Sequence, residues 1–310
     1  MPTVFSRTSK VLLLGLMSAA LASPVTLYAA EDFEALVAEA EAGRAEAQWR
    51  VGTGYEVGNG VQADLTHAAE WYRKAADQGH SNALFSLGSC YENGMGVPTD
   101  YDEAMKLYRA AAAKGNADAM CALGLFYENG RGVEADDVKA ADWYKKAADK
   151  GHPNATAILA SCYLHGQGVE KNEEKAARLF KSAAGLDQPE AQYMLGRVYE
   201  EGRYEKQDFS EAFRWYQMAA RADIVEAQTR VGLLYLNGMG VSQNVDKGLK
   251  WLHRASDAGD GEAYYQLGLL YSQGRFVARD TEKAEALFGL ACDSGFEKAC
   301  EMPEGEPKGN

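Results

Sequence analysis

Residues 119–151 read AMCALGLFYENGRGVEADDVKAADWYKKAADKG, and the same pattern returns along the chain every 36 residues. Ala119 has counterparts in Ala47, Ala83, Ala155, Ala191, Ala227 and Ala263. Four places on stand Val51, Leu87, Leu123, Leu159, Leu195, Val231 and Leu267, each followed by a small residue, Gly52, Gly88, Gly124, Ala160, Gly196, Gly232 or Gly268. Tyrosine recurs at 55, 91, 127, 163, 199, 235 and 271, and glycine at 58, 94, 130, 166, 202, 238 and 274. A chain of 310 residues would hold about two ordinary domains. Seven copies without insertion or deletion make it one array of a repeated unit instead.

Within one copy the spacing is helical. Ala47, Val51, Gly54, Tyr55 and Gly58 fall at i, i+4, i+7, i+8 and i+11, one face of a helix. Gly58 is placed to end it in the left-handed conformation, which glycine adopts without steric cost. A second helix opens at Asp64, Asp100, Asp136, Asn172, Asp208, Asn244 and Asp280, residue types whose side-chain oxygen caps orphan backbone N–H groups. Glu103 and Glu211 stand three residues after Asp100 and Asp208, as in a capping box. The second helix then carries Ala68, Trp71, Tyr72 and Ala75 and ends at Gly79. Each copy is thus a helical hairpin whose apolar seam is buried only by stacking on its neighbours. The small residue at 52 allows the two helices to approach, and the Tyr and Trp rings are expected to fill the space between successive hairpins. The 32 Gly and 17 Tyr of the composition are this unit counted seven times.

Leu123-Gly124, Tyr127, Gly130, Gly132-Val133, Asp136, Ala140, Trp143-Tyr144, Ala147-Ala148 and Gly151 together resemble the Sel1-like repeat, a relative of the tetratricopeptide repeat. The resemblance runs over about residues 43–300. It implies an all-α fold, an α-solenoid of helix-turn-helix repeats forming a curved superhelix. The expected organisation is a signal peptide at 1–30, a capping helix at 31–46, the repeats with a terminal partial helix at 47–302, and a disordered tail at 303–310. Tyr204-Glu205, Phe276, Asp187 and Gly248 depart from the pattern and bear on local loop shape.

The first thirty residues contain Arg7 and Lys10 but no acid, then an apolar run from Val11 to Ala22 and a break at Ser23-Pro24. This is the layout of a secretory signal peptide. Cleavage fits after Ala29 or Ala30, with Ala20-Leu21-Ala22 as the competing site. Pro24, Ser23 and Thr26 interrupt the stretch that a spanning helix of ~20 apolar residues would need. The full chain has 45 acidic and 32 basic residues, a net charge of −13, and loss of the signal deepens the acidity. That balance excludes nucleic acid as a partner, since phosphates demand a basic surface. The mature protein is expected to be exported and periplasmic, or alternatively secreted, and monomeric.

Cys292 and Cys300 lie eight residues apart across the last turn. In cysteine-rich bacterial Sel1-like repeats, which this part of the chain resembles, such a pair bridges two helices, and export favours oxidation. Cys90 and Cys162 share the position of Phe126, Val198 and Leu270 and read as buried small hydrophobes; Cys121 shares the position of Trp49 and Phe85. One bridge and three thiols follow. His80 and His152 read as solvated turn residues. No HExxH, CxxC, phosphate loop or GxSxG occurs. Ser-xx-Lys and Lys-Thr-Gly are absent too, which disfavours the penicillin-binding or β-lactam-cleaving activity described for some relatives. The sequence offers no catalytic residue, metal site or cofactor.

If the likeness to tetratricopeptide arrays holds, the first helix of each hairpin lines the concave face. Its non-seam positions vary between copies, unlike the seam. Trp49, Phe85, Tyr193 and Tyr265 then provide aromatic anchors, Glu56, Glu92 and Glu128 a row of carboxylates on the first three copies with Glu200 at the same position of the fifth, and Arg197 a cation. These residues are the candidate site for a protein or peptide partner with apolar anchors and basic residues. For Phe85 and Tyr193 a second reading stays equally open, that the rings pack against neighbouring helices, and the glutamates read first as a solvated face and only second as a binding site. The functional expectation is a non-catalytic interaction scaffold of the bacterial periplasm or envelope; the alternative is a secreted protein acting on host cells.

Overall fold

Local sequence sets both ends of nearly every helix. The structure, a computed structural model, describes residues 30–202 and 204–301. Of the expected signal peptide only Ala30 falls among these, and the expected tail at 303–310 lies outside them. The described residues form sixteen α-helices and no strand, arranged as consecutive hairpins of an α-solenoid.

The chain divides into two compact units at Ala119/Met120. Unit 1 holds α1 (Ala30–Glu41), the hairpins α2 (Ala45–Val57)/α3 (Leu65–Asp77) and α4 (Ser81–Asn93)/α5 (Tyr101–Ala113), and the start of α6 (Ala117–Asn129). Unit 2 holds the rest of α6 with α7 (Asp137–Asp149), then α8 (Pro153–His165)/α9 (Glu173–Ala184) and α10 (Pro189–Glu201)/α11 (Phe209–Arg221). It ends with α12 (Val225–Asn237)/α13 (Val245–Asp257), α14 (Gly261–Gln273)/α15 (Thr281–Asp293) and the single turn α16 (Glu297–Cys300).

The expected caps form. The Asp64 carboxylate accepts from the N–H groups of Thr66 and His67, and Asp136, Asn172, Asn244 and Asp280 accept from the residue three places on. The backbone N–H of each cap donates to the carbonyl of the repeated tyrosine before it: Asp100 to Tyr91 and Asp136 to Tyr127 at 2.9 Å, Asp208 to Tyr199 at 3.0 Å. That bond pins the loop between the two helices. It also corrects the capping-box expectation. With the cap N–H already engaged, the Glu103 carboxylate pairs with Lys106 at 2.9 Å and that of Glu211 with Arg214 at 2.8 Å.

Two glycines in each loop have different reasons. Gly130 closes α6 at φ +65°, as the sequence predicts. The glycine two places later is needed because another backbone passes close by. A Cβ at Gly96 would lie 2.0 Å from the Leu65 carbonyl oxygen, and one at Gly168 1.9 Å from that of Asp137. The first turn of one hairpin's second helix thus touches the next hairpin's loop. Phe276 keeps the left-handed backbone at φ +67° and packs against the cluster of Leu236, Leu252, Leu267 and Leu270. At Tyr204 the contact passes to the side chain, whose hydroxyl donates to Glu173 at the start of α9. Asp187 keeps φ +58° where other copies have glycine, and Asp223 does the same at +63°. The departures therefore alter side chains and leave the repeat intact.

Candidate functional site

The core of each hairpin is a ring laid on a bare backbone. A Cβ at Gly124 would stand 2.4 Å from the Tyr144 ring, one at Gly88 2.7 Å from Tyr108, and one at Gly268 2.6 Å from Phe288. Both partners belong to the same hairpin, so these tyrosines fill space within a hairpin. The expectation that rings fill the space between successive hairpins holds for other positions: Tyr235 of α12 meets Phe213 of α11 edge-on with centroids 5.0 Å apart, and Trp215 and Trp251 pack against apolar clusters that include residues of the preceding hairpin.

The buried hydroxyls need acceptors. Tyr72 donates to Glu56, Tyr108 to Glu92 at 2.6 Å, Tyr144 to Glu128 at 2.5 Å and Tyr216 to Glu200 at 2.5 Å. Where that position carries no hydroxyl, as at Phe180, Leu252 and Phe288, the facing residues are Leu164, Leu236 and Ser272. Glutamate appears only where tyrosine does. The signal lay in the sequence, in the joint change of two positions 16 residues apart, and a reading of each position separately misses it. Burial holds the Glu128 carboxyl above its ordinary range, opposed by the Tyr144 hydrogen bond. Burial first, then the facing glutamate, raises Tyr72, Tyr108, Tyr144 and Tyr216 above the usual phenol range.

The aromatic residues predicted as anchors sit on these rings and stay half-buried. Phe85 tilts against Tyr108 with centroids 5.6 Å apart, Tyr193 against Tyr216 at 5.7 Å and Tyr265 against Phe288 at 5.7 Å. Trp49 stacks on His80 and donates its Nε1–H to Ser86 Oγ at 3.2 Å. At the same position Cys121, Ala157 and Thr229 are buried, so in unit 2 the row is interrupted. Arg197 is exposed and pairs with Glu201 at 2.8 Å. Two ties between successive first helices went unread: Arg230 with Glu262 at 3.1 Å, and the Thr229 hydroxyl donating to Asp260 at 2.5 Å.

The histidine reading is corrected. His80 and His152 are the N-caps of α4 and α8, their Nδ1 accepting from Ala83 and Ala155 at 3.2 and 3.1 Å, and His152 is buried. Cap positions sit where one hairpin rests on the next, which is why a polar turn residue is enclosed. The structure joins Cys292 to Cys300, with Cα atoms 4.9 Å apart. Cys90, Cys121 and Cys162 are buried. Burial pushes the Cys90 and Cys162 thiols up to about 12, so neither is a thiolate nucleophile at neutral pH. Among the described residues, no group of three or more His, Cys, Asp or Glu is placed to hold a metal ion, and no helix is long and apolar enough to cross a membrane.

The Sel1 repeat family model matches residues 45–80, 81–116, 117–152, 153–187, 189–224, 225–260 and 261–296. The chain belongs to the Sel1 repeat family. Sel1 repeat proteins generally mediate protein–protein interaction, and their solenoid is generally a non-enzymatic scaffold. Among solved structures, the chain is similar to c5321, a protective antigen of uropathogenic Escherichia coli, with 29% identity and a TM-score of 0.74. That match covers 90% of this chain, which spans 61% of the length of the antigen. It is also similar to a Sel1 repeat protein of Oxalobacter formigenes, at 31% identity and a TM-score of 0.67, over 74% of this chain and 99% of that one. No curated protein is detectably similar to it.

Proposed function

We propose that this Sel1 repeat protein is a non-catalytic scaffold of the bacterial periplasm or envelope. Within each unit taken by itself, the exposed faces of the first helices bind a segment of a partner protein. One observation carries the reading: Phe85, Tyr193 and Tyr265 each rest on a helix-borne ring yet remain half-exposed, at positions that vary between copies while the seam does not. Rings held by other rings lose little freedom on binding. Glu56, Glu92, Glu128 and Glu200 add carboxylates oriented by a tyrosine hydroxyl, which suits a partner with basic residues between its apolar anchors. Arg197 and Trp49 extend the same faces.

Export rests on the apolar, acid-free first thirty residues, and in an oxidising compartment the Cys292–Cys300 bridge holds α16 to the last hairpin. Affinity purification from an envelope extract is the test. The parent should retain a specific protein at low salt that Tyr193→Ala with Tyr265→Ala loses. Retention unchanged by both substitutions would refute the assignment of the site. N-terminal sequencing of the mature chain and cell fractionation test export. A second reading, a secreted protein acting on host cells, is favoured by the likeness to an antigen of uropathogenic Escherichia coli, and recovery from culture medium would support it.

A further inference from the structure

Four hairpins carry a tryptophan at one position of the second helix, Trp71, Trp143, Trp215 and Trp251, and for three of them the apolar surroundings include residues of the helix before it in the stack. Trp71 belongs to the apolar cluster that holds Ala40 and Val51, with Tyr55 packed against it; Trp215 and Tyr199 pack against the cluster that holds Ala184 and Leu195, and Trp251 against the one that holds Ala220, Val231 and Tyr235. Each ring also carries a cation: Lys74 at 3.6 Å, Arg214 at 4.3 Å and Arg254 at 5.3 Å from the ring centre. In the hairpin α8/α9 the same positions hold Ala148, Leu159 and Tyr163, but Leu179 stands where the tryptophan would be and Ser182 where Lys74 and Arg254 are. A cavity of about 180 Å³ opens there, between α7 and α9, floored by Leu159 and Leu179.

The hairpin α4/α5 also lacks the tryptophan, having Leu107, and there the chain's own side chains occupy the place. Arg73 lies over Tyr91, and Lys114 covers Gly79 so closely that a Cβ would meet its Nζ at 3.0 Å. Gly151, the counterpart of Gly79, has nothing within 4 Å of an added Cβ, and Leu186, the counterpart of Lys114, is 44% exposed. Lys145 and Lys175 stand in the lining against one carboxylate, Asp149. In a chain of net charge −13 this local excess of cations is unusual.

We infer that the α7–α9 cavity is a slot for an aromatic side chain, indole above all, presented by a partner protein beside an acidic residue. The tryptophans at the same position of four other hairpins show what the slot accepts. At about 180 Å³ it is smaller than the ~300–1,000 Å³ common for whole small-molecule ligands and suits one ring whose remaining chain lies outside. The lysines supply the cation that Ser182 does not, and they select an acidic neighbour. This site is separate from the first-helix faces proposed above, and its test shares no residue with theirs.

The test is methyl NMR of the full mature chain with leucines labelled. The peptide Ac-Glu-Trp-Glu-amide should shift the methyls of Leu159, Leu179 and Leu186 saturably, and Ac-Glu-Ala-Glu-amide should not. Leu179→Trp, which installs the residue of the four tryptophan-bearing hairpins, should weaken binding at least tenfold while leaving the melting temperature unchanged or raised. Thr156→Tyr fills the slot from its floor and serves as a second variant, since the last hairpin carries Tyr264 at that position. Lys145→Glu with Lys175→Glu should weaken the peptide at least threefold. No saturable shift in the parent, or parental affinity in both filled variants, would overturn the assignment.

Discussion

Tyr144 donates its hydroxyl to Glu128 across 2.5 Å, from a ring pressed flat on the backbone of Gly124. Removing the hydroxyl leaves a largely buried carboxylate without that donor, at a cost of ~1–3 kcal/mol. Tyr144→Phe should therefore lower stability by about that amount. Combining it with Glu128→Leu copies the Phe180/Leu164 pair of the next hairpin and should recover part of the loss. Denaturant unfolding of both single variants and the pair closes the cycle. Strict additivity would show that the two residues are not coupled.

Glycine in a helix normally weakens it by ~1 kcal/mol relative to alanine. At Gly124 overpacking should win, because the added Cβ would sit 2.4 Å from a ring that is itself buried, and Gly124→Ala should cost ~1–3 kcal/mol. Gly289 on α15 has nothing within 4 Å of an added Cβ, so Gly289→Ala should stabilise by ~0.5–1 kcal/mol. Thermal melts of the two variants should move in opposite directions.

His152→Ala removes the cap of α8 and should cost ~0.5–2 kcal/mol, whereas His152→Asn keeps an acceptor, as Asn116 does for α6, and should cost less. Equal losses in the two variants would mean that packing around the imidazole matters and the cap does not.

Of the five cysteines, three should react with a thiol reagent in the mature oxidised protein, and only after unfolding, since Cys90, Cys121 and Cys162 are buried. Intact-mass counting of labelled thiols checks this. Two labels or five in denaturant would contradict the Cys292–Cys300 pairing.

Alkali should unfold the protein in a defined window. The Cys90 and Cys162 thiols ionise at about 12 in the folded chain, against the ordinary value of 9.0 for an exposed thiol. The unfolded state therefore loses its protons first. The stability these groups contribute is complete below pH 9.0 and is lost as the pH rises towards 12. Each thiol steepens the fall by about 1.4 kcal/mol per pH unit within the window, and the buried tyrosines steepen it further above pH 10.0. Urea midpoints measured from pH 8 upward should decline, and Cys90→Ala with Cys162→Ala should flatten the first part of that decline.

Much of this was legible because repeats expose their own constraints. Asp136, Gly130 and Gly124 act through bonds and contacts within a few residues or across one hairpin, and their recurrence every 36 residues announces them. His152 was misread because its exposure depends on the hairpin stacked against it. The tie between Tyr144 and Glu128 was visible only to a comparison of two positions at once.

By itself the sequence determined the repeat, the helical hairpin, the caps and the left-handed stops, since each depends on backbone geometry over a single turn or loop. Only the tertiary structure decided which carboxylates are held by tyrosine hydroxyls, which members of the anchor row are buried, and where a tryptophan-sized groove stays open. These are contacts between side chains far apart along the chain. Burial and pairing arise when hairpins stack and space is either filled or left, and no single repeat contains that information.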